Sequence, residues 1–118
     1  MTEKSITGKK GEEAAVEYLI KKGYQIISTN KRFGKAEIDI IAKKDTEIVF
    51  VEVKTRTSDF FGFPEEFVTD KKIEMMSKAA EQFIEQNSSF TEIRFDIISV
   101  IFKNDKYQIT HIEDAFTP

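Results

Sequence analysis

The chain has 118 residues, 40% of them hydrophobic, and a formal net charge of −3. That suffices for one compact domain spanning 1–118 and leaves no room for a second. It has no cysteine and one histidine, His111, which excludes disulfides, thiolate zinc sites and multi-histidine metal centres; any metal must be held by oxygen ligands, which select hard cations such as Mg²⁺ or Mn²⁺.

No stretch approaches the roughly 20 apolar residues of a membrane span, and no signal-peptide core follows Met1–Ser5, so the expectation is a soluble cytoplasmic protein with no membrane partner. A first helix is expected from Thr7 or Gly8 to about Lys22, with Ala15, Tyr18 and Leu19 turned inward and Gly23 as a left-handed cap. Tyr24–Thr29 reads as a strand, Asn30–Lys35 as a polar turn and Ala36–Ala42 as a second strand. Lys44-Asp45-Thr46 closes a hairpin onto a third strand, Glu47–Arg56, whose nearly unbroken apolar run from Ile48 to Val53 suits the middle of a sheet. An irregular, phenylalanine-rich stretch follows from Thr57 to Thr69. Asp70 is expected to cap a second helix reaching Asn87, with Ile73, Met76, Ala80, Phe83 and Ile84 at helical spacing. Ile93–Phe102 and Lys106–Ile112 form a final hairpin around Asn104-Asp105. This order gives an α/β sandwich with a mixed sheet, because the second helix can return the chain parallel to the third strand.

The chemistry is concentrated where the chain is most hydrophobic. Charged side chains removed from water cost several kcal/mol unless paired or bound to a metal, yet Asp39 sits in Ile38-Asp39-Ile40-Ile41, and Glu52 and Lys54 interrupt Phe50-Val51-Glu52-Val53-Lys54. Strand alternation places Glu52, Lys54 and Arg56 on one face of the third strand, and the hairpin lets Asp39 approach Glu52 from the side. Two adjacent carboxylates repel, and a divalent cation offsets that repulsion. Counting along the first helix from Glu12 reaches Ala15, Val16 and Leu19, so Glu12 projects toward the sheet as a third acid; a small rotation of that helix would instead leave it solvated near the helix start. Such a set suits phosphodiester hydrolysis, in which Mg²⁺ or Mn²⁺ activates water, Lys54 stabilises developing charge and the Val53 carbonyl completes the metal shell. A buried structural ion-pair network is the other reading of Asp39, Glu52 and Lys54.

These residues resemble the PD-(D/E)xK nuclease superfamily, its archaeal Holliday-junction-resolvase branch most closely, and more narrowly the small bacterial YraN-like family. The matching stretches are Gly8-x-x-Gly11-Glu12, Asn30-x-Arg32, Glu37–Ala42, Val49–Arg56, Lys71, Arg94-Phe95-Asp96 and Ile112–Phe116. Ile38 stands where the superfamily name has proline, and Ala36 where the family usually has glycine. The resemblance implies a restriction-endonuclease-like α-β-β-β-α-β core with a mixed central sheet flanked by helices. It also implies a metal-dependent site with Asp39 and Glu52 as ligands, Lys54 as catalytic lysine and Glu12 as accessory acid, acting on DNA that is branched or structured.

Around this site Arg32, Arg56, Lys71 and Lys72 are candidate phosphate contacts, although charges at strand ends and helix starts are often merely solvated. Phe60, Phe61, Phe63 and Phe67 can pack on the domain, form a homodimer patch or stack on bases. His111, Met75 and Met76 read as structural, and Asp96 as either an ion-pair partner or a site residue. The rival functional reading is a non-catalytic nucleic-acid-binding or assembly module that keeps the fold.

Overall fold

A computed structural model describes residues 6–57, 69–87 and 92–116. Helix α1 (Ile6–Lys21) leads into strands β1 (Gln25–Phe33), β2 (Ala36–Lys44) and β3 (Glu47–Thr57). Helix α2 (Asp70–Gln86) then precedes strands β4 (Glu92–Lys103) and β5 (Lys106–Ile112). One sheet takes the strands in the order β1-β2-β3-β4-β5. Every neighbouring pair is antiparallel except β3 and β4, which run parallel because α2 carries the chain back along the sheet before β4 begins. The mixed α/β sandwich and the α-β-β-β-α-β order expected from the sequence are both present, with β3 at the centre.

The central strand is apolar because both of its faces are covered. Ile48 and Phe50 pack with Met76, Ala79, Ala80 and Phe83 of α2, while Val49 and Val51 pack with Ala14, Ala15 and Leu19 of α1. Each of these strand residues is fully buried, and burying one such side chain contributes about 1.5–3 kcal/mol before entropy is counted. Helix α1 approaches β3 closely at Gly11, where an added Cβ would stand 1.9 Å from Thr55 Oγ1. Its far end closes with Gly23 at φ +93, where Tyr24 N–H donates to the Leu19 carbonyl and Gly23 N–H to that of Ile20, both at 3.0 Å. On the α2 side, Phe50 and Phe95 stack at 5.6 Å, and Phe116 stacks on Phe95 at 5.1 Å. The Ala115 N–H donates to the Phe95 carbonyl at 2.7 Å and so ties the chain end to β4.

Three expectations are corrected. The polar run Asn30–Lys35 is not a turn throughout: β1 continues to Phe33, with Asn30 at φ 52 inside it, and Gly34-Lys35 make the reversal. Composition misleads there because β1 is an edge strand whose residues 29–32 are exposed and need no apolar face. The α2 cap is Thr69 rather than Asp70, its hydroxyl accepting the Lys72 N–H at 3.1 Å; Asp70 is the first helical residue, where a negative charge favours the helix dipole. On α1, Tyr18 is only half-buried beside the stripe Gly11, Ala14, Ala15 and Leu19. The stretch holding Phe60, Phe61, Phe63 and Phe67 lies outside the described residues. Among those described, no helix is long and apolar enough to cross a membrane.

Candidate active site

Strands β2 and β3 pair from Lys44↔Glu47 to Ile40↔Val51 and no further. Both strands continue past that rung, so they part there, and Asp39 and Glu52 are the first residues on the two arms of the fork. Asp39 appears in the residue pairings of β2 with neither neighbour. Its carboxylate instead accepts the Val53 N–H on Oδ2 at 2.9 Å, a side chain standing in for a strand partner. Both acids are buried, Asp39 at 6% and Glu52 at 5% relative exposure.

Alternation from Phe50 turns Glu52 toward α2, and two ammonium groups meet it there. Lys54 Nζ lies 3.4 Å from Oε1, and Lys72 Nζ, from the first turn of α2, lies 3.2 Å from Oε2. Oε2 is buried, with the Lys72 ammonium as its charge partner. Burial, and after it the charge of Asp39, pushes the Glu52 carboxyl above its usual range; Lys72 and Lys54 offset only part of that.

The other predicted site residues are placed less closely. Glu12, half-buried on α1, borders a cleft of about 480 Å³ together with Val53, Lys54 and Arg56. Among the described residues no three Asp, Glu or His side chains are grouped so as to hold a metal ion, so Glu12 shares the cleft with Lys54 without forming a triad with Asp39 and Glu52. Arg56 donates from Nη1 to the Thr55 carbonyl at 2.8 Å. Lys71 is exposed at the start of α2, and Arg32 is exposed on edge strand β1, across from Glu37.

A second buried acid occupies the opposite face. Asp96, 0% exposed on β4, receives Arg94 Nε on Oδ1 and Arg94 Nη2 on Oδ2, both at 2.8 Å, and the Asp114 N–H on Oδ1 at 3.0 Å. His111 Nε2 lies 2.6 Å from Oδ2, and its Nδ1 lies 3.1 Å from the Tyr18 hydroxyl. A carboxylate only accepts, so in the neutral ring Nε2 donates and Nδ1 accepts from Tyr18. Arg94 also donates to Tyr24 and to Glu47. Although burial alone would push Asp96 up, the hydrogen bonds from His111, Arg94 and the Asp114 amide outweigh it and hold the carboxyl below its usual range. Asp96 and His111 are thus ion-pair and hydrogen-bond partners in a structural network.

Sequence reasoning missed two contacts of the site: Lys72 on Glu52, and the Asp39 bond to the Val53 amide. No sequence pattern signals the second. For Lys72, a lysine in the first turn of the helix that covers the Glu52 face is the available signal.

A five-stranded mixed sheet with helices on both faces and a buried acidic fork on its central strand defines a mixed α/β protein. The model of the uncharacterised protein family UPF0102 matches residues 11–100, and the chain belongs to that family, the YraN-like one. It is 50% identical over 116 residues to a UPF0102 protein of Flavobacterium psychrophilum, covering 98% of each chain. It is 47% identical over 107 residues to one of Syntrophomonas wolfei, covering 90% of this chain and 93% of the other. Among solved structures, Pyrococcus furiosus SfsA in complex with Ca²⁺ aligns with 89% of this chain and 63% of its own, at 17% identity and a TM-score of 0.37. That value is too low to support a functional comparison.

Proposed function

We propose that this protein is a Mg²⁺- or Mn²⁺-dependent endonuclease whose substrate is DNA, with branched or structured DNA as the preferred form. The observation that carries the reading is Glu52: a carboxylate almost wholly buried beside a second one, with its pKa raised by that burial and by that neighbour. A fold that holds two acids against their repulsion at a strand fork is suited to a cation, and the donors available, two carboxylates and the Val53 carbonyl, are the oxygen ligands that hard cations take. Water would fill the remaining positions, as it commonly does around Mg²⁺.

When bound, such a cation supplies Lewis-acid polarisation of a phosphoryl oxygen and a more acidic water. The chain's own groups do the rest. Lys54, 3.4 Å from Glu52 and bordering the cleft, orients the attacking water and stabilises charge developing on the phosphate. Glu12, on the same cleft, serves as the accessory acid. Arg56, Lys71 and Arg32 are the groups available to DNA phosphates beyond it. Cutting a two-fold junction symmetrically requires two such sites, which a homodimer provides.

The second reading, a non-catalytic nucleic-acid-binding or assembly module, draws on the same residues. Lys54 and Lys72 lie 3.4 and 3.2 Å from Glu52, and two lysines can hold that charge without any cation. Incubating purified protein with forked, junction and linear DNA in Mn²⁺ separates the two. The nuclease reading expects cleavage by wild type and, for Glu52→Gln, a rate lower by roughly a hundredfold or more, the scale of losing one group that stabilises transition-state charge. DNA binding with no cutting by wild type supports the module.

A further inference from the structure

The contact between Lys72 and Glu52 joins a helix to the sheet across the candidate site, and its geometry differs from that of Lys54. Lys54 is fixed two residues beyond Glu52 on the same central strand. Lys72 reaches in from the first turn of α2, is the more exposed of the two at 30% against 22%, and meets Oε2 at 3.2 Å. Carried by α2 and not by the strand of Glu52, it is the partner that can leave without moving the central strand.

Charge arithmetic indicates when release occurs. With Asp39 and Glu52 ionised, two carboxylates face two ammonium groups and the cluster is neutral. A divalent cation on the acids leaves it with two surplus positive charges, in a setting where water screens poorly. The cluster relaxes if one ammonium leaves the carboxylate, and an anion such as a DNA phosphate then completes the balance.

Resting on the proposed cation-dependent reading, we infer that Lys72 is a positioning residue that occupies Glu52 in the cation-free protein and is displaced toward the DNA backbone when the cation binds. Lys72 therefore competes with the cation for Glu52 Oε2 and couples cation binding to phosphate binding. A free ammonium on a flexible four-carbon stem suits this exchange, since it acts as a mobile point charge.

Calorimetric titration of Mn²⁺ into the cation-free wild type, Lys72→Met, Lys72→Gln and Lys72→Arg tests the inference. Removing a competitor tightens cation binding, so Lys72→Met and Lys72→Gln are expected to bind Mn²⁺ at least roughly fivefold more tightly than wild type, the lower end of ordinary site-to-site coupling. Lys72→Arg keeps the competing charge and should bind close to wild type. Removing a nearby positive charge tightens cation binding even if that charge never moves, so displacement is read separately from the Lys72 side-chain resonance of wild type, which must shift when Mg²⁺ is added and must stay unchanged if the lysine remains on Glu52. Unchanged or weaker Mn²⁺ binding by both neutral variants, with wild type binding normally, overturns the role of Lys72 and leaves the nuclease reading standing. No Mn²⁺ binding by wild type overturns both.

Discussion

The two faces of the sheet treat a buried carboxylate in opposite ways. On the α1 face, Asp96 is wholly buried and surrounded by donors: a two-pronged guanidinium, an imidazole and a backbone amide. On the α2 face, Glu52 is almost as deeply buried, yet it is set beside Asp39, and its partners are two ammonium groups at 3.4 and 3.2 Å. Both are buried and the pKa directions are opposite, so what decides the outcome is the surroundings: hydrogen-bond donors around Asp96, and a second carboxylate beside Glu52. Asp96 stabilises the native state in its charged form. Glu52 is disfavoured in its charged form by burial and by the neighbouring Asp39.

The contrast can be broken at either end, and the largest effect is expected at Asp96. Asp96→Ala leaves Arg94 and His111 facing an empty acceptor, and removing one partner of a buried pair should lower unfolding free energy by about 3–5 kcal/mol in urea denaturation. A smaller effect of the opposite sign is expected at Glu52. Glu52→Gln removes a charge that burial disfavours, so at neutral pH it should stabilise the cation-free protein, within the roughly 0.5–2 kcal/mol typical of single stabilising substitutions. The gain depends on pH in a defined direction. A carboxyl raised in the folded state contributes stability that is fully present below its ordinary value of 4.5 and is lost as pH rises through the elevated one. Wild type and Glu52→Gln should therefore converge in stability under acid and separate toward neutral pH. Asp96 behaves in reverse: its contribution is present above its ordinary 3.8 and fades as pH falls through the depressed value.

The smallest effect sharpens the Asp96 side of the comparison. Tyr18→Phe keeps the ring, which meets His111 edge-on at 5.4 Å, and removes only the hydroxyl on Nδ1. A loss of about 1 kcal/mol is expected, the usual net value of one hydrogen bond. Were Tyr18→Phe to cost as much as Asp96→Ala, the network would be failing as a unit rather than bond by bond.

Much of this could be read from the chain. The run Ile48–Val53 marked the central strand, and the long second helix between strands implied its parallel neighbour; both follow from periodicity and from the reach a parallel crossover needs. Asp39, Glu52 and Lys54 stood out because charge inside an apolar run is expensive. Harder to read was β1 beyond Thr29, since an exposed edge strand has the composition of a loop. The partnership of Lys72 with Glu52 depends on how α2 rotates over the sheet, which local spacing does not fix. Arg94 and Asp96 share a strand face by their two-residue spacing, but their joining with His111 and Tyr18 depends on the register Ile98↔His111 and on where α1 lies.

The parting of β2 and β3 has one more consequence. Because the Val53 amide donates to the Asp39 side chain instead of to a neighbouring strand, its proton senses the electron density of that carboxylate directly. The backbone thus carries its own gauge of the fork, a single nitrogen–hydrogen resonance that shifts whenever something draws on Asp39, with no label introduced and no substitution made.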